Sequence, residues 1–234
     1  MVSAIIMAGG SGIRTNQAVP KQFLTVNEIP IIVYTMRNVQ SIPQIDEIVV
    51  VSPTGWENFI VSYAEQFSVT KLKNVVCGGK TRYESICNGL RALSCRDNDQ
   101  KVCLVDANRP LIPAEVFGDV IALLDRCDCA LAVEPCYDSM FMYNEDMTIT
   151  ENMDRSVLCK GQGPECARLG TLLELYDSPL LDNGKELSTC GLAIAKGKIV
   201  QAAKGHIKSF KITTADDFDL FKAFLNQRQL NNIL

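Results

Sequence analysis

Glycines and two cations follow the first apolar segment of the chain. The segment Val2–Met7 runs into the loop AGGSGIRTNQAVPK, in which Arg14 and Lys21 stand seven residues apart. Successive glycine N–H groups can form a concave nest for phosphate oxygens, to which arginine adds a planar fork and lysine a compact charge. The loop therefore indicates a polyphosphate site. The loop matches neither the Walker sequence nor the dinucleotide-binding sequence. Taken alone, it is therefore equally consistent with a glycine turn that carries two solvated cations.

A second glycine pair precedes a predicted helix in the stretch CGGKTRYESICNGL. Gly78 and Gly79 leave room for a flat base or a ribose to approach the backbone. Arg82 and Ser85 are three residues apart, so they share one helix face, and the helix N-terminus favours anions. The alternative is a capped helix that carries a surface arginine.

Two further segments carry charge that could reach the same site. In VDANRP, Asp106 ends a predicted buried strand and is a plausible Mg²⁺ ligand, because Mg²⁺ binds nucleotide sites through one or two carboxylates and phosphate oxygens. Arg109 could hold a second anionic substrate. For Asp106 alone, a turn aspartate is the stronger alternative. In SFKITT, Lys211 alternates with apolar neighbours on a predicted strand, and it matters for function only if it lies in a pocket.

The elements that must position these residues alternate between strands and helices. The pattern predicts strands at Val2–Met7, Ile45–Ser52, Leu72–Cys77, Lys101–Val105 and Cys129–Val133. It predicts helices at Ile31–Val39, Trp56–Phe67, Arg82–Leu93 and Ala114–Leu124. This alternation predicts an α/β fold, with a parallel sheet covered by helices on both faces. Ligands of such sheets bind at the carboxyl ends of the strands.

The alternation breaks after Pro135, and the polar segment 136–160 is predicted to be a projecting β-hairpin arm. The remaining predictions are a helix at Arg168–Tyr176, a strand at Leu192–Ala195, a hairpin that pairs Lys198–Gln201 with Ile207–Ile212, and an amphipathic helix at Ala215–Asn226. Without an internal repeat or linker, we expect residues 1–234 to form one domain.

Composition excludes several classes of protein. The chain has 234 residues, 47% of them apolar, and a net charge of -4, which argues against nucleic-acid or anionic-membrane binding. No apolar run is long enough to cross a bilayer, and we expect no secretory signal. The ten cysteines are scattered and there is one histidine, so we expect free thiols in a cytoplasmic protein rather than disulfides or a zinc site.

The motifs, taken in order, resemble the polyol-phosphate cytidylyltransferases, a family with members in isoprenoid synthesis and in teichoic-acid or capsule synthesis. The resemblance covers essentially the whole chain, through the segments AGGSGIR…PKQFL (8–24), GGKTRYESICNGL (78–90), VDANRP (105–110), EPCYDSM (134–140), DRSVLCKGQGPE (154–165) and FKITTADDF (210–218). It implies a Rossmann-like enzyme that uses Mg²⁺ to transfer CMP from CTP to a phosphorylated polyol and releases pyrophosphate. It also implies a homodimer formed through the arm.

The resemblance further implies a role for each matching residue. The catalytic group would be Arg14, Lys21 and Lys211. CTP would be bound by Ala8, Gly9, Gly10, Gly12, Gly79, Arg82, Ser85 and Ala107. The acceptor would be bound by Asp106, Arg109, Gly163 and, from the partner subunit's arm, residues at positions 139 and 155 (Ser139 and Arg155 of this sequence), while Asp106 would also hold the metal.

The sequence departs from the family pattern mainly on the acceptor side. Val105 stands where the family usually has histidine, the QTPQ segment is QGPE at 162–165, the NIK segment is SFK at 209–211, and a Thr-Asp pair expected near Ser188 is absent. These changes weaken the case for methylerythritol phosphate as the acceptor. The retained segments KGK at 196–198 and KITT at 211–214 resemble the teichoic-acid members and favour ribitol phosphate or another capsule polyol phosphate. A sugar-1-phosphate nucleotidyltransferase and a catalytically weak CTP-binding homologue remain alternatives, and a purely structural module ranks last.

Overall fold

The computed structural model describes residues 1–9, 19–177, 181–182 and 185–231. In chain order the strands are β1 (Val2–Met7), β2 (Thr25–Val26), β3 (Ile29–Pro30), β4 (Glu47–Ser52), β5 (Leu72–Cys77), β6 (Lys101–Asp106), β7 (Cys129–Pro135), β8 (Met140–Tyr143), β9 (Ile149–Met153), β10 (Cys159–Arg168), β11 (Leu181–Asp182), β12 (Lys185–Glu186) and β13 (Val200–Lys204). The helices are α1 (Ile31–Gln40), α2 (Glu57–Gln66), α3 (Arg82–Arg91), α4 (Ala114–Leu123), α5 (Leu169–Leu175), α6 (Thr189–Ala195) and α7 (Ala215–Asn231).

A seven-stranded sheet forms the centre of the described structure, in the order β13-β7-β10-β6-β1-β4-β5. Neighbouring strands are parallel except where β10 runs antiparallel to β6 and β7. The prediction of a mostly parallel α/β sheet is therefore confirmed. The sequence pattern gave no strand at β10, because its glycines and Pro164 interrupt an apolar or alternating run.

Alternate residues of each central strand point to opposite faces of the sheet, as strand geometry requires. Ala4 and Ile6 of β1 belong to a cluster with α1, α2 and α4, whereas Ile5 belongs to a cluster with α3, α5 and α6. All three side chains are fully buried. The helices therefore cover both faces of the sheet, as predicted.

A third apolar cluster packs α7 against α1 and the loop after β6. Phe221 and Leu225 of α7 contact Val26, Ile31 and Leu111 there. The predicted C-terminal helix is confirmed, although it extends beyond Asn226. This packing matters for the site, because the segment that enters α7 carries Lys211.

The segment 136–160 contains the antiparallel hairpin β8–β9, with residues Met140–Tyr143 all exposed. Its apolar side chains face solvent in the single chain: Phe141 is 50% exposed and Tyr143 is 62% exposed. The predicted hairpin is present, and after β9 the chain passes through a 3-10 turn at Arg155–Val157 into the long strand β10.

Two predictions after residue 188 are wrong. Leu192–Ala195 lies in α6 rather than in a strand; Ser188 caps that helix by accepting a hydrogen bond from the Gly191 N–H at 3.1 Å. The predicted hairpin is also absent, because β13 pairs parallel with β7 and residues Ile207–Ser209 form a 3-10 turn. Short apolar runs do not by themselves separate a strand from a helix.

All ten cysteines are free thiols, as predicted, and Cys103, Cys129, Cys166 and Cys190 are buried. Among the helices that the structure describes, none combines the length and apolarity needed to cross a membrane.

Candidate functional site

The strand order reverses at β1, which has β4 on one side and β6 on the other. Such a reversal opens a crevice at the carboxyl ends of the strands. The Ala107 N–H donates to the Met7 carbonyl at 3.1 Å, and the Ala8 N–H donates to the Val51 carbonyl at 2.8 Å. These bonds place Ala8 and Ala107, both predicted nucleotide-site residues, side by side on the floor of the crevice.

The glycines of the two loops allow the backbones and α3 to approach closely. A Cβ on Gly9 would lie 3.4 Å from Ser85 Oγ, and one on Gly79 would lie 2.2 Å from the Glu84 Cβ, so Gly79 admits no side chain. The Gly79 N–H donates to Ser85 Oγ at 3.0 Å, and that hydroxyl donates to the Thr81 carbonyl at 2.8 Å. Ser85 therefore orders the second glycine loop.

The crevice contains a first cavity of about 330 Å³. Nine of the predicted site residues line it: Ala8, Gly9, Lys21, Gly79, Arg82, Ser85, Asp106, Ala107 and Lys211. Among the described residues, the lining includes four basic side chains, Lys21, Lys80, Arg82 and Lys211, and one carboxylate, Asp106. The excess of positive charge suits a polyphosphate. Gly10, Gly12 and Arg14 lie outside the described residues, so their predicted roles stay predictions.

Asp106 is the centre of a group of ion pairs. Its carboxylate oxygens lie 3.0 Å from Arg109 Nε, 3.1 Å from Lys211 Nζ and 3.8 Å from Arg82 Nη1. The side chain is 20% exposed. Burial by itself raises the pKa of Asp106, but the charges of Lys211, Arg109 and Arg82 outweigh burial and hold the pKa at about 2. Asp106 is therefore ionised at any pH at which the protein would work.

Lys211 reaches this group through the loop before α7, not through a strand as the sequence pattern predicted. The Ile212 N–H donates to the Asn108 carbonyl at 2.9 Å, and Asn108 Nδ2 donates to the Ile212 carbonyl at 2.6 Å. These two bonds tie the Lys211 segment to the loop after β6. Pairing with a loop rather than with a strand explains why the alternation of side chains gave the wrong element.

The start of α7 holds the same segment from the other side. The Asp217 carboxylate accepts hydrogen bonds from the N–H groups of Thr213 and Thr214, both at 2.8 Å, and the Asp217 N–H donates to Thr214 Oγ1 at 3.3 Å. This is a capping box. The TTADD part of the motif therefore acts structurally, by fixing the helix that follows Lys211.

A second cavity of about 410 Å³ adjoins the first and shares Arg82, Asp106 and Lys211 with it. Arg109 and Gly163, both predicted to bind the acceptor, line this cavity. Gly163 has a φ of +80°, in the left-handed region that glycine tolerates, and a Cβ there would lie 3.9 Å from the Arg109 side chain. Arg109 Nη1 donates to the Ser209 carbonyl at 2.6 Å, which fixes the guanidinium.

Two carboxylates in the second cavity were not predicted. Glu165 lies 3.4 Å from Arg82 Nη2, and Glu186 accepts hydrogen bonds from the N–H groups of Arg82 at 3.0 Å and Tyr83 at 3.3 Å. Glu186 thus occupies the helix N-terminus that was expected to be available to an anion. The QGPE departure pointed to Glu165. Glu186 comes from a distant part of the sequence and left no local signal, although it supplies an acid close to Ser188.

Five other residues that line the first cavity were also missed: Met7, Gln22, Lys80, Thr81 and Asn108. Lys80 was visible in the GGK sequence as a cation beside the glycines. Ser139 and Arg155 are exposed on the arm and line neither cavity of their own chain. Their predicted role in the partner subunit's site remains a prediction.

The described residues include no group of three or more His, Cys, Asp or Glu side chains that could hold a metal by themselves. Asp106 nevertheless fits Mg²⁺ binding, because Mg²⁺ in nucleotide sites takes one or two carboxylates and completes its shell with phosphate oxygens and water. Asp106 would supply the protein ligand at the edge that both cavities share.

A Rossmann-like sheet with a cationic cavity at its switch point defines the class of α/β proteins that bind nucleotide phosphates. The family model described as 2-C-methyl-D-erythritol 4-phosphate cytidylyltransferase matches residues 2–227, and the chain belongs to this family.

Similar proteins agree with this assignment. A ribitol-5-phosphate cytidylyltransferase from Lacticaseibacillus paracasei is 34% identical, with 98% of this chain and 100% of that protein covered. A 2-C-methyl-D-erythritol 4-phosphate cytidylyltransferase from Syntrophus aciditrophicus is 31% identical, with 97% of each covered. The solved 4-diphosphocytidyl-2C-methyl-D-erythritol synthase from Anaerococcus prevotii has a TM-score of 0.82 at 24% identity over 97% of this chain and 98% of that one, which shows the shared fold.

Proposed function

We propose that the protein transfers CMP from CTP to the phosphate of a polyol phosphate, giving a CDP-polyol and pyrophosphate. The observation that carries this proposal is the pair of adjoining cavities that share Arg82, Asp106 and Lys211. One cavity is lined by the glycine loops and four cations, and the other by Arg109 and polar groups. CTP would occupy the first cavity and the acceptor the second, so the reacting phosphates would meet at the shared residues.

The reaction needs charge neutralisation more than proton transfer. An oxygen of the acceptor phosphate attacks the α-phosphorus of CTP and forms a new P–O bond. The bond between the α-phosphorus and the oxygen that bridges it to the β-phosphorus breaks, and pyrophosphate leaves with the electron pair of that bond. The second pKa of a phosphate monoester is about 6, so the nucleophile is already ionised at neutral pH. Lys21, Lys211 and Arg82 would stabilise the transition state by alignment and electrostatics.

Each charged group would have a distinct position in this reaction. Lys21 and Arg14 would grip the triphosphate, and Lys211 and Arg109 would hold the acceptor phosphate. Asp106 would keep Lys211, Arg109 and Arg82 converged through its short ion pairs. When Mg²⁺ is bound it would neutralise phosphate charge, with Asp106 as its protein ligand.

The acceptor is proposed to be ribitol 5-phosphate or a similar unbranched polyol phosphate. Support comes from the acceptor-side departures and from the 34% identical relative named ribitol-5-phosphate cytidylyltransferase. Methylerythritol 4-phosphate is the second candidate, because the family model and other relatives carry its name. We also propose that the chain acts as a single domain in the cytoplasm and as a homodimer joined through the arm.

A pyrophosphate-release assay tests the function directly. Purified protein with Mg²⁺ is given CTP, UTP, GTP or ATP with ribitol 5-phosphate, methylerythritol 4-phosphate or glycerol 3-phosphate. Release with CTP and a polyol phosphate, together with a CDP-polyol product by mass spectrometry, is expected. Release with UTP or GTP and a sugar 1-phosphate would instead indicate a sugar-1-phosphate nucleotidyltransferase. CTP binding without release for any acceptor would indicate a CTP-binding homologue.

A further inference from the structure

We propose that Glu165 is a specificity-determining residue that selects acceptors by their hydroxyl groups. This inference rests on the proposed function and deepens it, because it assigns the property of the acceptor that the second cavity recognises. Glu165 lines that cavity and is absent from the lining of the first.

The backbone around Glu165 aims its side chain into the cavity. β10 contains an irregularity between Gly161 and Glu165, after which Glu165 pairs with Leu104 of β6 and Leu131 of β7. Both of these leucines also line the second cavity. Glu165 is thus held by two strands, and its side chain is only 13% exposed. A carboxylate fixed in this way is a rigid hydrogen-bond acceptor on a partly apolar wall.

The Arg82 guanidinium separates Glu165 from the phosphate-binding groups. Arg82 Nη1 faces Asp106 at 3.8 Å, while Arg82 Nη2 faces Glu165 Oε2 at 3.4 Å. Arg109 and Lys211 lie on the Asp106 side, at 3.0 and 3.1 Å from that carboxylate. Asp106 and Glu165 therefore contact different nitrogens of the Arg82 guanidinium. The two cations lie beside Asp106, which lines both cavities.

This arrangement orients an acceptor that carries a phosphate and several hydroxyl groups. Glu165 repels the phosphate group of the acceptor, whereas Lys211 and Arg109 attract it. The carbon chain of the acceptor therefore extends toward Glu165. A carboxylate has about four lone-pair sites and donates nothing, so Glu165 can keep Arg82 and still accept hydrogen bonds from acceptor hydroxyls. Hydrogen bonds to a charged partner are about twice as strong as neutral ones.

A methyl or methylene group in place of such a hydroxyl would leave the desolvated carboxylate without that hydrogen bond. Losing a hydrogen bond to a buried polar group discriminates between ligands more strongly than a small change in ligand size does. Glu165 should therefore favour ribitol 5-phosphate, with its unbranched hydroxylated chain, over acceptors with fewer hydroxyls. Ser188 and Gln162 line the same cavity and can complete the contacts.

The test compares wild type, Glu165→Gln and Glu165→Asp, with Glu174→Gln as a matched acid-to-amide control on the surface, where Glu174 is 64% exposed. Ribitol 5-phosphate and glycerol 3-phosphate are titrated calorimetrically into each protein in the presence of Mg²⁺ and a CTP analogue that cannot react. Melting curves establish that each variant is folded. The binding measurement needs no turnover, so it is independent of the pyrophosphate assay.

We expect Glu165→Gln to weaken ribitol 5-phosphate binding by about tenfold, corresponding to about 1.4 kcal/mol, and glycerol 3-phosphate binding by less than twofold. Glu165→Asp, which keeps the charge, should retain more of the preference than the glutamine variant, and Glu174→Gln should match wild type. Equal weakening of both acceptors, or an unchanged preference, would overturn the inference while leaving wild-type pyrophosphate release intact. Absence of that release in wild type would count against the proposed function instead.

Discussion

The Lys211 ammonium lies 3.1 Å from a carboxylate oxygen of Asp106, although the two residues come from opposite halves of the chain. The contact depends on the two hydrogen bonds between Asn108 and Ile212, which join the loop after β6 to the segment before α7. Through this contact, the packing of the C-terminal helix is connected to the geometry of the proposed phosphate-binding site.

Replacing Asp106 with asparagine should lower turnover by at least about a hundredfold, by analogy with the loss of one preorganised charge in other active sites. The amide keeps the shape but leaves Lys211, Arg109 and Arg82 without a common counter-charge, so they should repel one another. Steady-state pyrophosphate release measures the effect. Asp125→Asn is the matched control, because Asp125 also pairs with a lysine but is 69% exposed. It should change turnover less than twofold.

Replacing Lys21 with alanine should also lower turnover a hundredfold or more, and the same is expected for Arg14→Ala. Lys21 begins a short 3-10 turn whose next two residues, Gln22 and Phe23, are buried, so its position is fixed by packing and the turn should survive the change. Lys222→Ala serves as the control, because the Lys222 side chain on α7 is 47% exposed. Near-normal turnover in Lys21→Ala, with CTP saturating, would contradict the assignment.

The sequence predicted the parts of the site that local patterns determine. β1 and β5 have the predicted bounds, and since parallel strands end at one edge of a sheet, Gly9, Gly79 and Asp106 had to meet there. A glycine loop that directly follows an apolar strand can be recognised from a few consecutive residues, so this part of the site is predictable from the sequence.

Long-range contacts account for what the sequence did not reveal. The alternation of Phe210 and Ile212 with Lys211 predicts a strand, yet the position of Lys211 follows from the hydrogen bonds between Ile212 and Asn108, which no local pattern encodes. The same holds for Glu186 at the start of α3. The strand predicted at Leu192–Ala195 is wrong because four residues are too few to distinguish helical from extended periodicity.

Acid should reduce activity through the substrate and not through Asp106. The pKa of Asp106 is lowered from 3.8 to about 2, so its ion pairs contribute stability above pH 3.8 and lose it as the pH falls toward 2. The acceptor phosphate, with a second pKa of about 6, loses nucleophilicity at higher pH than that. A profile of kcat/KM for the acceptor should therefore fall below about pH 6. With a phosphonate acceptor, whose second pKa is higher, the fall should move to higher pH; an unmoved profile would implicate a protein group.

Glu186→Ala should destabilise the protein by about 1 kcal/mol, as the loss of a helix N-terminal acceptor usually does. For a chain of this size that corresponds to a fall in Tm of about 2–4 °C. Since Glu186 and Ser188 line the second cavity, the KM for the acceptor should rise more than the KM for CTP. Glu186→Gln keeps an accepting oxygen and should recover most of the stability. Equal Tm values for wild type and Glu186→Ala would show that the cap contributes nothing.

The exposed apolar side chains of the arm lead to a prediction about assembly. Phe141, Tyr143 and Ile149 are each at least half exposed. Phe141 and Tyr143 share one face of β8, where Tyr143 pairs with Ile149, and a monomer rarely leaves such an apolar face in water. Phe141→Asp should therefore convert a dimer to a monomer in sedimentation equilibrium. Val61→Asp, a change at a 42% exposed residue on α2, should leave the dimer intact. A wild-type monomer, or a dimer that survives Phe141→Asp, would contradict the arm interface.

Mixing two inactive variants tests whether Arg155 acts in the partner's site. Lys21→Ala disables the site of its own chain, whereas Arg155→Ala, in the proposed dimer, disables the site of the partner. In a mixed dimer one site then lacks both residues and the other keeps both. Because about half of the randomly reassembled dimers are mixed and each has one intact site, activity should return to about a quarter of wild type. If Arg155 instead serves its own chain, each site in the mixed dimer lacks one residue, and no activity should return.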